Sequence, residues 1–150
     1  MSTKKKSSQK DVGSSESNAQ SQRRPRILIA DDDPDLRRLL RTHLETMDCE
    51  LIEANDGEKA LETIIIERPD LVVLDVMMPE LNGWEVCRYI KSKPEYASIG
   101  VVMLTAIGST INELTSPLYG ADEYIDKPFN IDELEFKIRR VLSRMRSQRS

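Results

Sequence analysis

A chain of 150 residues has the length of one domain, enough for a single sizeable core but not for two folded units, so one unit acting alone is expected. No apolar run approaches the roughly 20 residues that span a bilayer, and Lys4-Lys5-Lys6 are not followed by the apolar stretch of a secretory signal, which points to a cytoplasmic protein with no transmembrane segment. The formal net charge of −4 hides a segregated one: residues 1–26 carry 7 basic and 2 acidic side chains, 27–136 carry 9 and 24, and 137–150 carry 6 and none; because no aromatic residue is interleaved with the basic ends, they read as solvated and no nucleic-acid partner is expected.

Residues 1–25 are rich in Ser, Gln, Lys and Asn and poor in apolar residues, a composition that cannot offset ordering entropy, so a disordered basic and polar tail is expected. From Arg26 onward, apolar runs of strand length alternate with segments of helical period, which predicts βαβ units and a parallel α/β sheet of five strands. The first strand is Ile27 to Ala30, and Pro34 opens a helix with Leu36, Leu39, Leu40, Leu44 and Met47 on its apolar face. The second strand is Glu50 to Ala54; Asn55-Asp56-Gly57 turns the chain into a helix with Ala60, Leu61, Ile64 and Ile65 inward, which Pro69 stops. The third strand is Leu71 to Leu74, and Gly83, read as a residue wanted for backbone freedom, opens a helix with Val86, Cys87 and Ile90 inward. The fourth strand is Gly100 to Leu104. Residues 107–119, at the fourth helical position, hold many poor helix formers and Pro117, so a short or irregular helix is expected there. The fifth strand is Glu123 to Ile125. The last helix runs from about Asp132 to Arg146, with Leu134, Ile138, Val141, Leu142 and Met145 inward, and residues 147–150 form a basic C-terminal tail.

Chemistry gathers where strands end. Asp31-Asp32-Asp33 follow the first strand, Asp75 the third and Lys127 the fifth, and such carboxylates repel one another unless a hard cation such as Mg²⁺ and a neighbouring ammonium offset their charge. One carboxylate is then available as a nucleophile, the composition of a phosphoryl-transfer site. Asp33, directly before Pro34, fits a helix N-terminal role better than metal binding. His43 is the only histidine, which excludes a His-based triad or zinc site within one chain and leaves a partly packed surface residue. Cys49 and Cys87 stand at no metal-ligand spacing and read as reduced packing residues.

The stretches ILIADDDPDLRRLL, LVVLDVMMPELNGWEV, VVMLTA and GADEYIDKPF together resemble the response regulator receiver family, the CheY-like phosphoacceptor domains of two-component signalling. The resemblance sets a domain at residues 26–146 and implies a doubly wound, flavodoxin-like sheet of order 2-1-3-4-5. It further implies that Asp75 accepts a phosphoryl group from a histidine kinase or phosphotransfer protein, and that the site takes Mg²⁺ through Asp32, Asp75, the Met77 carbonyl and, by way of a water, Asp31. Lys127, the Thr105 hydroxyl and the Ala106 amide would hold the phosphoryl oxygens. Thr105 and Tyr124 would form the switch, the threonine moving toward the phosphoryl group and the aromatic ring turning inward. The Lys127-Pro128 bond is implied to be cis.

On this reading the chain is a single-domain receiver that catalyses its own phosphorylation and dephosphorylation without being a conventional enzyme. It would signal to a protein partner at the face of its last helix, with a second copy of the chain as a further candidate. Two other classes compete. A phosphorylation-independent interaction module of the same fold has no evident use for Asp31, Asp32, Asp75, Thr105 and Lys127 together. A haloacid-dehalogenase-like phosphatase would use the Asp-x-Asp spacing of Asp31 and Asp33 but leaves Asp75 and Lys127-Pro128-Phe129 unexplained.

Overall fold

Strict alternation of side chains along a strand sends neighbouring residues to opposite faces of a sheet, and here both faces are buried. Ile27 and Ile29 pack in one cluster while Leu28 and Ala30 pack in the other; Leu71 and Val73 divide from Val72 and Leu74 in the same way. The computed structural model describes residues 24–105 and 120–149 of the chain. In chain order the elements are β1 (Arg26–Ala30), α1 (Pro34–Leu44) with a 3₁₀ turn at Glu45–Met47, β2 (Glu50–Ala54), α2 (Gly57–Glu67), β3 (Leu71–Asp75), α3 (Gly83–Ser92), β4 (Gly100–Thr105), β5 (Glu123–Asp126) and α4 (Ile131–Arg149).

The five strands form one parallel sheet of order β2-β1-β3-β4-β5, as the receiver resemblance implies. Helices α1 and α4 cover one face and α2 and α3 the other. Burial on both faces explains why β1, β3 and β4 read as continuous apolar runs, whereas the edge strands β2 and β5 keep polar positions. The ladder starts earlier than the sequence suggests. Pro25 accepts a hydrogen bond from the Glu50 amide at 2.8 Å, and Arg24 reaches the Cys49 carbonyl at 2.8 Å, so both residues already contact the sheet region. Residues 1–23 of the expected tail, and the segment 107–119 of the expected irregular helix, lie outside the described residues.

Helix ends follow local chemistry. Asp33 caps α1, accepting from the amides of Asp35 and Leu36, and Asn82 and Glu85 form a reciprocal capping box at α3. Arg68, in the left-handed region, ends α2 just before Pro69. α4 continues to Arg149, past the expected boundary at Arg146. Leu39 and Ile65, expected inward, are exposed. Each directly neighbours a buried residue, Leu40 and Ile64, and a step of about 100° per residue carries the second of two adjacent side chains off the buried stripe. The apolar stripe of α4 packs on the sheet through Leu134, Ile138 and Val141, while Arg140 and Arg144 fold back onto Glu123 of β5 at 2.7 and 2.8 Å. His43 hydrogen-bonds Glu135 at 2.7 Å and so ties α1 to α4. Cys49 and Cys87 are buried thiols, and burial pushes the Cys87 thiol up to about 12.

Gly83 has an ordinary backbone conformation, since Gly120 is the glycine with a positive φ among the described residues. Its requirement is space: a Cβ there would fall on the Asp75 carbonyl. Its amide donates to the Val76 carbonyl at 2.9 Å, so α3 starts against the end of β3. Gly83→Ala is therefore expected to lower stability by about 1–3 kcal/mol, since strand and helix start must separate. A urea melt showing a loss below about 0.5 kcal/mol would mean that this contact yields freely.

Candidate functional site: an acidic pocket at the strand ends

Register decides which side chains share the carboxyl edge of the sheet. Ala30 pairs with Leu74, so Asp31 and Asp75 follow at the same level; Asp75 pairs with Leu104 and Thr105 with Asp126. Backbone hydrogen bonds carry the ladder past the strand ends, from Asp31 N–H to Ala54, Val76 N–H to Leu104 and Lys127 N–H to Thr105, at 3.1, 2.9 and 2.7 Å. The candidate residues thus sit on a paired backbone rather than on free loops.

Asp31 is 0% and Asp75 3% exposed, and two buried carboxylates this close would repel strongly. The Lys127 ammonium lies between them, 3.3 Å from Asp31 and 3.1 Å from Asp75. Asp31 also accepts from the Asp33 amide at 2.9 Å, and Asp75 from the Met77 amide at 3.2 Å. Burial, and then the Asp31 charge, push the Asp75 carboxyl up to about 6 against the opposing pull of Lys127. Burial works against the charge on Lys127, but Asp31 and Asp75 outweigh it and raise its pKa.

Asp32 stands exposed at the mouth, and carboxylate oxygens of Asp31, Asp32 and Asp75 lie within 4.8 Å of one another. An all-oxygen donor set, closed on one side by Lys127 and open on the other, fits Mg²⁺, which keeps several of its waters. Thr105 ends β4 and is buried. Tyr124 lies further back on β5, its ring 5.9 Å from that of Trp84 at an interplanar angle of 44°. Met77 is in the loop after β3 with its side chain exposed, and the Lys127-Pro128 bond is cis. Ala106 lies outside the described residues.

Two contributors escaped the reading of the sequence. Arg37 donates to the Asp31 carbonyl at 2.7 Å while pairing with Glu53 at 3.0 Å; an arginine on an amphipathic helix carries no mark of such a contact, because the turn between β1 and α1 creates it. Trp84 carries no local mark of its contact, since its partner Tyr124 is distant in sequence.

The family model for the response regulator receiver domain matches residues 27–139. The "Probable transcriptional regulator ycf27" of Galdieria sulphuraria is 45% identical over 123 residues, 82% of this chain and 47% of the relative. The "DNA-binding dual master transcriptional regulator RpaA" of a Synechocystis strain is 38% identical over 120 residues, 80% of this chain and 50% of the relative. The chain thus spans about half the length of the curated relatives it matches, and their names stand against the expectation that nucleic acid plays no part in the output. Among solved structures, a CheY-like response regulator receiver domain protein from Methanospirillum hungatei matches with a TM-score of 0.76 at 29% identity, over 83% of this chain and 98% of that one. The chemotaxis response regulator CheY4 of Vibrio cholerae matches with a TM-score of 0.73 at 28% identity, over 79% and 98%.

With a folded pKa of about 6 against an ordinary 3.8, Asp75 favours folding when protonated, and that contribution is lost as pH rises through about 6. In chelator, Asp75→Asn should therefore melt above the parent chain at pH 7.5, by about 2 kcal/mol, and lose this advantage toward pH 4. An advantage independent of pH would disprove the burial argument. Asp32→Ala should weaken Mg²⁺ binding about tenfold or more, as titrated by calorimetry. Asp33→Ala should leave Mg²⁺ affinity nearly unchanged and cost about 1 kcal/mol of stability as a lost cap; equal losses of Mg²⁺ affinity in the two variants would put the acidic run one residue out of register.

Proposed function

Because the chain belongs to the response regulator receiver family, we propose that Asp75 is its phosphoacceptor, loaded in a Mg²⁺-dependent reaction from the phosphohistidine of a histidine kinase or phosphotransfer protein. The observation that carries this reading is the single ammonium of Lys127 held between the buried carboxylates of Asp31 and Asp75. An ion pair of that form keeps one carboxylate ionised beside a cation that can pass to a phosphoryl oxygen. An Asp75 oxygen attacks phosphorus, the bond from phosphorus to the donor nitrogen breaks, and the imidazole leaves with the electron pair and takes a proton.

Each residue has a task in that transfer. Asp75 supplies the nucleophilic oxygen, Lys127 follows the charge onto the phosphoryl group, and the Thr105 hydroxyl and Ala106 amide donate to its remaining oxygens. Asp32, Asp75, the Met77 carbonyl and, by way of a water, Asp31 would hold Mg²⁺, which when bound neutralises charge spread over the phosphoryl oxygens. Met77 brings an apolar side chain to the mouth, where it offers no group to hold an attacking water, so hydrolysis of the acyl phosphate is slow.

Phosphorylation then shifts Thr105 and Tyr124 and changes the surface formed by β5 and α4. The names of the curated relatives support a transcriptional output, reached through a protein partner, through a second copy of this chain or through further chain of the kind those relatives possess. The reaction would take place in the cytoplasm; among the described residues no helix is long and apolar enough to cross a membrane. Incubation with acetyl phosphate and Mg²⁺ should place one hydroxylamine-sensitive phosphoryl group on Asp75, and Asp75→Asn or removal of Mg²⁺ should abolish it. Label that persists in Asp75→Asn would sink the assignment, and folded parent protein that takes no label would favour an interaction module independent of phosphorylation.

A further inference from the structure

Trp84 is the only tryptophan in the chain, and its backbone has almost no freedom relative to the phosphoacceptor. It directly follows Gly83, whose amide is bonded to Val76 and which leaves no room for a Cβ against the Asp75 carbonyl. On its other side, the capping box of Asn82 and Glu85 fixes the first turn of α3 at 3.0 and 3.1 Å. The indole is therefore carried on the same rigid unit as Asp75.

Tyr124, on a different strand, is anchored just as firmly by its backbone. It pairs with Met103 in the ladder, and its carbonyl accepts a hydrogen bond from the Lys137 ammonium of α4. Only its ring is left to move. That ring lies tilted against Trp84 with its hydroxyl buried, an orientation directed into the protein. A tilted aromatic pair at this separation is attractive beyond the area it buries, and a contact made in one ring orientation alone biases the equilibrium toward it.

We infer that Trp84 is the positioning residue that holds the Tyr124 ring inward, giving the Asp75 loop a route to β5 separate from the one through Thr105. The inference rests on the proposed switching of Tyr124. Its consequence is reciprocal: whatever holds Tyr124 inward strengthens binding of a phosphoryl group at Asp75 by the same factor.

The test is a ¹⁹F NMR titration with beryllofluoride and Mg²⁺, with cooperative thermal unfolding checked for every variant. Trp84→Leu should bind beryllofluoride about 2- to 12-fold more weakly, the worth of one aromatic pair, and Trp84→Phe should recover most of that loss. Tyr124→Leu should show a similar loss, and Trp84→Leu should add nothing in the Tyr124→Leu background, because the interaction is already gone. Additive losses, or a Trp84→Leu protein that binds as tightly as the parent, would overturn the inference. Should Trp84→Leu fail to unfold cooperatively, Trp84→Ile, which also removes the aromatic ring, completes an equivalent cycle with Tyr124→Leu under the same criterion. A folded parent protein that binds no beryllofluoride would instead overturn the phosphoacceptor reading, and this inference with it.

Discussion

The Lys127 ammonium between the carboxylates of Asp31 and Asp75 is the contact on which the rest of the arrangement depends. Two carboxylates withdrawn from water at this separation cost several kcal/mol unless a cation compensates them. The same pairing brings together the ends of three strands that are far apart in sequence. Since Asp31 follows β1, Asp75 ends β3 and Lys127 follows β5, the cation reaches both acids only when the sheet has its full order. A site of this kind cannot form on a fragment or on a misordered sheet.

What supports that contact is backbone rather than side chain. The ladder runs one residue past the ends of β1, β3 and β5, so the acids and the lysine inherit the rigidity of a sheet buried on both faces. Behind Asp75, Gly83 lets α3 begin in contact with the β3 end. In front of it, Asp33 caps α1 and its amide is bound to Asp31, so the acidic run divides its labour: one member is buried, one faces solvent and one caps the start of a helix. The basic end of the chain is likewise drawn in, with Arg140 and Arg144 on Glu123 and Lys137 on Tyr124. These contacts hold α4 against the edge strand whose aromatic residue faces Trp84.

Much of this was written locally. A βαβ alternation, apolar runs of strand length and turn residues placed β1 to β5 within a residue at each end, because strands buried on both faces leave a continuous apolar signature. The candidate residues were equally legible, since an acidic run, a lone aspartate and a lysine at successive strand ends have few other uses. The readings that missed share a cause. Leu39 and Ile65 are apolar residues beside core residues, and composition cannot say which of two neighbours the core will take. Gly83 has a turn residue's identity but is needed for its lack of a side chain, a constraint set by the end of β3 at Asp75.

The sequence by itself determined the elements, their parallel α/β class and the inventory of acids, lysine and hydroxyl at the strand ends, because propensity, periodicity and charge act over a few residues. Only the tertiary structure decided that Asp31 and Asp75 share one ammonium, that Arg37 braces the Asp31 backbone and that Trp84 meets Tyr124. These contacts join residues between 6 and 96 positions apart, and their geometry follows from strand register and helix packing, which no local pattern encodes.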